Sequence, residues 1–99
     1  MIFEIKDKTQ RKIYLTEERY KHIINHSEMQ NRIEEIKTTL TDPLIIKSSK
    51  LDKMVKEYYT YFKLKSKFLK VVVKYLNGKG FVGAAFFTNK ITGEKWTEK

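Results

Sequence analysis

Phe68-Leu69-Lys70-Val71-Val72-Val73-Lys74-Tyr75-Leu76-Asn77-Gly78-Lys79-Gly80-Phe81-Val82-Gly83-Ala84-Ala85-Phe86-Phe87-Thr88 is two apolar runs joined by Asn-Gly. The first run alternates. Val71, Val73 and Tyr75 fall on one face of a strand, and Lys70, Val72 and Lys74 on the other. Asn77-Gly78 suits a type I′ turn, whose two central residues both need positive φ. The spacing therefore predicts strands over 68–76 and 81–88, paired as a hairpin. The returning strand is rich in small residues (Gly83, Ala84, Ala85), a pattern that marks close approach by another element.

Upstream, residues 54–63 alternate Val55, Glu57, Tyr59 and Tyr61 against Lys56, Tyr58, Thr60 and Phe62, and residues 44–48 make a shorter strand. A basic loop over 47–53 joins them. These strands and the hairpin make a four-stranded antiparallel meander. Downstream, residues 91–96 are expected to add a short strand or tail, with a turn at Thr92-Gly93 and Trp96 as a core plug.

Before the meander lie two short strands, 2–6 and 11–15, about a turn at 7–10. Thr16 reads as an N-cap, and Glu17 and Glu18 follow where the helix dipole favours acids. This helix is expected to run to Asn25 or His26. Tyr20, Ile23 and Ile24 form its apolar side. Steps of about 100° gather Arg19, His22 and His26 on the opposite side, with the two imidazoles one turn apart. Ser27 and Gln30 have capping-box form, and Met29, Ile33, Ile36 and Leu40 form the apolar stripe of a second helix. Asp42-Pro43 ends it. The expected fold is α+β: an N-terminal β-hairpin and two helices packed on one face of a four-stranded antiparallel sheet, in one domain over residues 1–99. The face carrying Lys70 and Lys74 is then left to meet a ligand.

Net charge is +9, and residues 44–80 carry ten lysines against two acids, with four tyrosines among them. Basic residues interleaved with aromatics suit RNA or single-stranded nucleic acid, which offers both phosphates and flat faces. There is no cysteine, which excludes a disulfide framework and a thiolate metal site. No apolar run approaches the roughly 20 residues of a membrane span and no signal-peptide pattern opens the chain, so a cytoplasmic location without a membrane partner is expected.

His22 and His26 are the only histidines. Imidazole titrates closest to neutrality, so the pair is the natural place for proton chemistry or a metal. A zincin would need Glu after the first histidine, and Ile23 stands there. No cysteine nucleophile, serine elbow or phosphate-cradling glycine loop is present. No metal or cofactor is expected.

In their order, His22-Ile-Ile-Asn-His26-Ser-Glu-Met, the Asp42-Pro43 stop, the tyrosine-rich strand, Lys70-Val-Val-Val-Lys74 and the Phe81–Thr88 strand resemble the phage-associated nucleases of the BECR fold. That fold includes barnase, EndoU, colicin-type and RelE-like ribonucleases. The resemblance covers residues 13–97. It implies metal-independent RNA cleavage, with toxin-type enzymes in the group and an acidic antitoxin or immunity protein as partner. It departs at Ala84-Ala85-Phe86, where the family usually has a Thr-Ala-Tyr-like triplet, and Thr88 is the nearest substitute hydroxyl on that face.

By this resemblance His22 and His26 supply general base and acid in either order, or one of them orients the phosphate with a lysine or tyrosine as the other's partner, and Lys70 and Lys74 stabilise the charge on phosphorus. Arg19 is a further phosphate ligand, Tyr59 and Tyr61 are candidates to stack bases, and Lys50 and Lys53 of the basic loop contact nucleic acid. The rival reading is a basic module that binds nucleic acid without cutting it.

Overall fold

The computed structural model describes residues 1–92 and the backbone of Glu94–Lys95; Gly93 and Trp96 lie outside the described residues. Strand β1 (Phe3–Lys6) turns into β2 (Lys12–Leu15), followed by helix α1 (Glu17–Ile23), a 3-10 turn (Ser27–Met29) and helix α2 (Ile33–Thr41). Then come β3 (Ile45–Ser48), β4 (Val55–Phe62), β5 (Lys67–Leu76), β6 (Lys79–Thr88) and the two-residue β7 (Glu94–Lys95).

The strands join in one mixed sheet of order β1-β2-β6-β5-β4-β3-β7, six strands with the short seventh at one edge. This corrects the four-stranded antiparallel sheet expected from sequence. The N-terminal hairpin is part of the sheet, because β2 pairs in parallel with β6 at Ile13–Gly80 and Tyr14–Phe81. Gly80 makes that junction. A Cβ built there would lie 2.5 Å from Ile13 Cδ1 and 2.8 Å from Val73 Cγ1. Pairing across 67 residues leaves no local pattern in the chain, whereas the β5–β6 hairpin does. Asn77 and Gly78 both take positive φ, 54° and 78°, and join the paired Leu76 and Lys79.

The helices are shorter than expected. α1 stops at Ile23, so His26 lies beyond it in extended backbone. The two histidines therefore do not share a helix face. The second helix does not start at Ser27. Asn31 takes a φ of 62° and breaks the apolar stripe between Met29 and Ile33. Met29 still reaches the core from its 3-10 turn.

One apolar cluster joins Ile23, Met29, Ile36 and Leu40 to strand residues that include Ile13, Leu15, Leu69, Val71, Val73 and Val82. The alternation along β5 buries Leu69, Val71, Val73 and Tyr75 and leaves Lys70, Val72 and Lys74 partly exposed on the opposite face. β6 shifts register between Val72 and Val73 of its partner, so Ala84 pairs with Val72 and Val82 with Val73. The extra residue, Gly83, is a bulge, which re-aims the strand just before Ala84. No helix among the described residues is long and apolar enough to cross a membrane.

Candidate active-site cleft

β6 pairs with β5 along its length, but with β2 only at its first residues. Beyond Phe81 its second edge has no strand partner among the described residues. α1 follows β2 directly, so the parallel β2–β6 pairing carries the helix along that open edge. Thr16 caps the start, its Oγ1 accepting from the Arg19 amide at 3.2 Å, and buried Ile23 anchors the end. The small residues of β6 leave room for the turn that follows.

The result is a cleft of about 340 Å³. His22, Ile23, Asn25 and His26 line one side, and Gly83, Ala84, Ala85 and Phe86 the other. His22 approaches from the last turn of α1 and His26 from the extended segment after it. Both imidazoles are exposed, line the cleft and make no hydrogen bond or ion pair among the described residues. No carboxylate among the described residues lines the cleft. Arg19 lies three residues before His22 on the exposed part of α1, within reach of the same surface.

The strand lysines are placed differently. Lys70 pairs across the sheet with Tyr59 and Phe86, so it sits behind the cleft wall. Its Nζ lies 3.5 Å from Glu57 Oε2, 5.5 Å from the Phe86 ring centre and 5.6 Å from that of Tyr59. Both side chains of that ion pair are mostly buried, 14% and 11% exposed. Lys74 lies four residues on, about 13 Å further along the strand. It pairs with Asp52 of the β3–β4 loop. That ammonium and the Met54 amide hold the Asp52 carboxyl below its usual range.

Tyr59 is fully buried, which corrects its expected role in stacking a base. Its hydroxyl donates to Glu57 Oε1 at 3.1 Å and accepts from the Thr92 amide at 3.1 Å. Tyr61 is 52% exposed and packs edge-on against Phe68, away from the histidines. The Thr88 hydroxyl accepts from the Lys90 amide at 3.4 Å, which ties it into the strand end. Lys50 and Lys53 are exposed in the β3–β4 loop, at the end of the sheet remote from the histidine cleft. The structure thus gathers His22 and His26 on one cleft, with Arg19 one turn earlier on α1 but outside the lining, and Lys70 against Phe86 but bound to Glu57. It leaves Lys74, Lys50, Lys53, Tyr59, Tyr61 and Thr88 elsewhere.

Sequence reading missed two features. Phe86 and Asn25 line the cleft, and the small-residue run on β6 was their only signal. The other feature is a buried polar network. Asp7, 2% exposed, directly follows β1. Its Oδ1 accepts from the Thr9 amide (2.9 Å), the Thr9 hydroxyl (2.7 Å) and the Arg11 amide (2.9 Å). Its Oδ2 accepts from the Tyr75 hydroxyl at 3.1 Å and from that of Tyr58, and the two hydroxyls also meet. Burial pushes both tyrosines above their ordinary ionisation range, and the Asp7 charge adds to it.

A larger cleft of about 660 Å³ lies between α2 and the ends of β3 and β4. Glu34, Glu35 and Asp42 line it, so it would repel an anion. No group of three His, Cys, Asp or Glu side chains among the described residues is placed to hold a metal ion. Comparison with known proteins found no matching family model, curated protein or solved structure.

Proposed function

We propose that the chain is a metal-independent RNA endonuclease of the cytoplasm, acting through the cleft between α1 and the open edge of β6. The observation that carries this reading is that both histidines converge on one cleft which, among the described residues, holds no carboxylate, gives the imidazoles no partner and borders a strand edge without a strand neighbour. One imidazole, as base, takes the proton of the 2′-hydroxyl. That oxygen attacks the adjacent phosphorus and forms a 2′,3′-cyclic phosphate. The bond to the 5′-oxygen breaks, and the second, protonated imidazole gives it a proton. Each proton transfer is worth about 10²–10⁴-fold in rate. Two backbone origins for the imidazoles suit this chemistry better than one helix face, because base and acid must flank the phosphorus. The open edge of β6 offers backbone N–H groups, and Arg19 a guanidinium, to the charge that develops there.

The resemblance to BECR-fold nucleases supports the same chemistry, and a +9 chain suits an acidic antitoxin as partner. The second reading, a binding module without cleavage, is favoured by Ala84, which puts a methyl group where the family carries a hydroxyl, and by the carboxylate partners of Lys70 and Lys74. The test is cleavage of mixed RNA in EDTA by the wild-type chain, His22→Ala and His26→Ala, with gel-shift affinity alongside. Cleavage lost in both variants while binding persists supports the nuclease. Binding without cleavage in all three leaves the binding module.

A further inference from the structure

Tyr14, Phe81 and Phe86 take no part in the apolar core. Tyr14 stands between buried Ile13 and Leu15 on β2, Phe81 between buried Gly80 and Val82 on β6, and Phe86 directly after buried Ala85. Strand alternation therefore turns all three away from the apolar cluster and the helix residues in it. Tyr14 pairs with Phe81 across the parallel junction, and their rings stack with centroids 5.5 Å apart and planes at 22°. Phe86 is 37% exposed and lines the histidine cleft. Between Phe81 and Phe86 the surface is low. Ala84 offers only a methyl group, and a Cβ added at Gly83 would meet only the Val72 carbonyl, at 3.9 Å. We propose that these rings form two base-stacking platforms for single-stranded RNA, one on the Tyr14–Phe81 pair and one on Phe86, with the RNA backbone crossing Gly83 and Ala84 between them.

Both platforms are held by their neighbours. The Phe86 ring rests against the ammonium of Lys70, 5.5 Å from its centre, and Lys70 is itself kept in place by Glu57. Phe81 rests on Tyr14, and Lys79 Nζ lies 5.8 Å from the centre of the Tyr14 ring. Rings that are already fixed lose little freedom when a base stacks on them, and every base has a flat face to offer. Phe81 and Phe86 are five residues apart on one strand, or about 16 Å at about 3.3 Å per residue. Neighbouring bases in a duplex strand are only about 3.4 Å apart, so bases on the two platforms do not belong to one helical stack. The nucleotides between them are unpaired and extended. Their backbone crosses the wall of the cleft opposite His22 and His26, so the platforms bracket the phosphodiester that the imidazoles reach. Charge selects this occupant over an apolar peptide. The chain carries +9, and Lys79, beside the first platform, is exposed and makes no ion pair among the described residues.

The placement of the scissile bond rests on the function proposed above; the stacking itself needs no cleavage. The experiment measures the two separately. Fluorescein-labelled single-stranded RNA, the same strand with abasic sites and the matching duplex are titrated with protein and followed by anisotropy across a salt series, with cleavage assayed alongside. Wild type is compared with Phe86→Leu, Phe81→Leu and Tyr14→Leu. Leucine keeps an apolar side chain on the strand and removes the flat face. The abasic strand tests the wild-type chain itself, so the result does not depend on the variants folding. The intact single strand should bind on the order of tenfold more tightly than the abasic one, and each leucine variant should lose on the order of tenfold in affinity for the intact strand alone. The salt slope should not change, because no cation is removed. Base-dependent binding with no cleavage would support the platforms and overturn the nuclease. Equal affinity for intact and abasic strands, with the leucine variants binding as wild type, would overturn the platforms even if the histidines cut RNA. Duplex bound as tightly as single strand would overturn them as well.

Discussion

Truncating Asp7 to alanine removes one carboxylate that accepts from five donors contributed by three separated parts of the chain. The amides of Thr9 and Arg11 lie in a partly buried turn and can recover water. The hydroxyls of Tyr58 and Tyr75 cannot, since Tyr58 is wholly buried and Tyr75 nearly so. They keep each other as partners, but one O–H of the two is left without an acceptor. A lost hydrogen bond to a charged acceptor costs about 1.5–3 kcal/mol, and an orphaned buried donor about 1–3 kcal/mol. Relief of the desolvation that burial imposes on Asp7 offsets part of this. The net expectation is a loss of about 3 kcal/mol, against roughly 5–15 kcal/mol for a domain of this size. Melting should fall by about 4–8 °C per kcal/mol, or roughly 12–24 °C. Asp7→Asn keeps an acceptor and the shape but drops the charge, so its cost should be about half. Urea unfolding at constant m-value gives the number directly. A loss below about 1 kcal/mol for Asp7→Ala would refute the argument that this carboxylate ties the first turn to β4 and β5.

Two further outcomes follow from the same packing. Both tyrosines of the network have folded-state pKa values raised above the unfolded value of about 10, so their contribution is complete below pH 10 and is lost as pH rises beyond it. Stability should decline by up to about 1.4 kcal/mol per pH unit for each of them above pH 10. Absorbance of tyrosinate should show Tyr58 and Tyr75 ionising only on unfolding, and Tyr58→Phe should flatten the alkaline decline. Gly80→Ala puts a methyl within 3.0 Å of Ile13, Val73 and Tyr75 side chains in the core, an overpacking cost of about 1–3 kcal/mol in urea unfolding. Ile13→Val removes the closest of those atoms, so the double variant should be more stable than the sum of the two single effects.

Much of the secondary structure was legible because its causes are local. The alternation of residues 68–76, the Asn77-Gly78 turn and the Thr16 cap each act within a few residues, and each is realised in place. The errors have local causes too. Residues 24–32 were read as the end of one helix and the start of the next, whereas α1 stops at Ile23 and Asn31, at positive φ, separates the 3-10 turn from α2. The sheet was misread for the opposite reason. Ile13 and Gly80 carry no mark of each other, and only closure of the core brings β2 beside β6.

The candidate site divides in the same way. The sequence by itself determined which side chains can move protons, since only two histidines exist, and where the positive charge is concentrated. It also determined that a small-residue stretch on β6 would admit a close neighbour. Only the tertiary structure decided that the neighbour is the end of α1 with the segment after it, carrying His22 and His26 in turn, that Lys70 is held by Glu57 and Lys74 by Asp52, and that Tyr59 is closed off from any ligand. It alone brought Asp7 to Tyr58 and Tyr75, and Arg11 to Lys53 and Lys56. Residue type fixes what a group can do chemically. Which groups meet is set by the burial of an apolar core shared among distant segments, and no short window of sequence contains it.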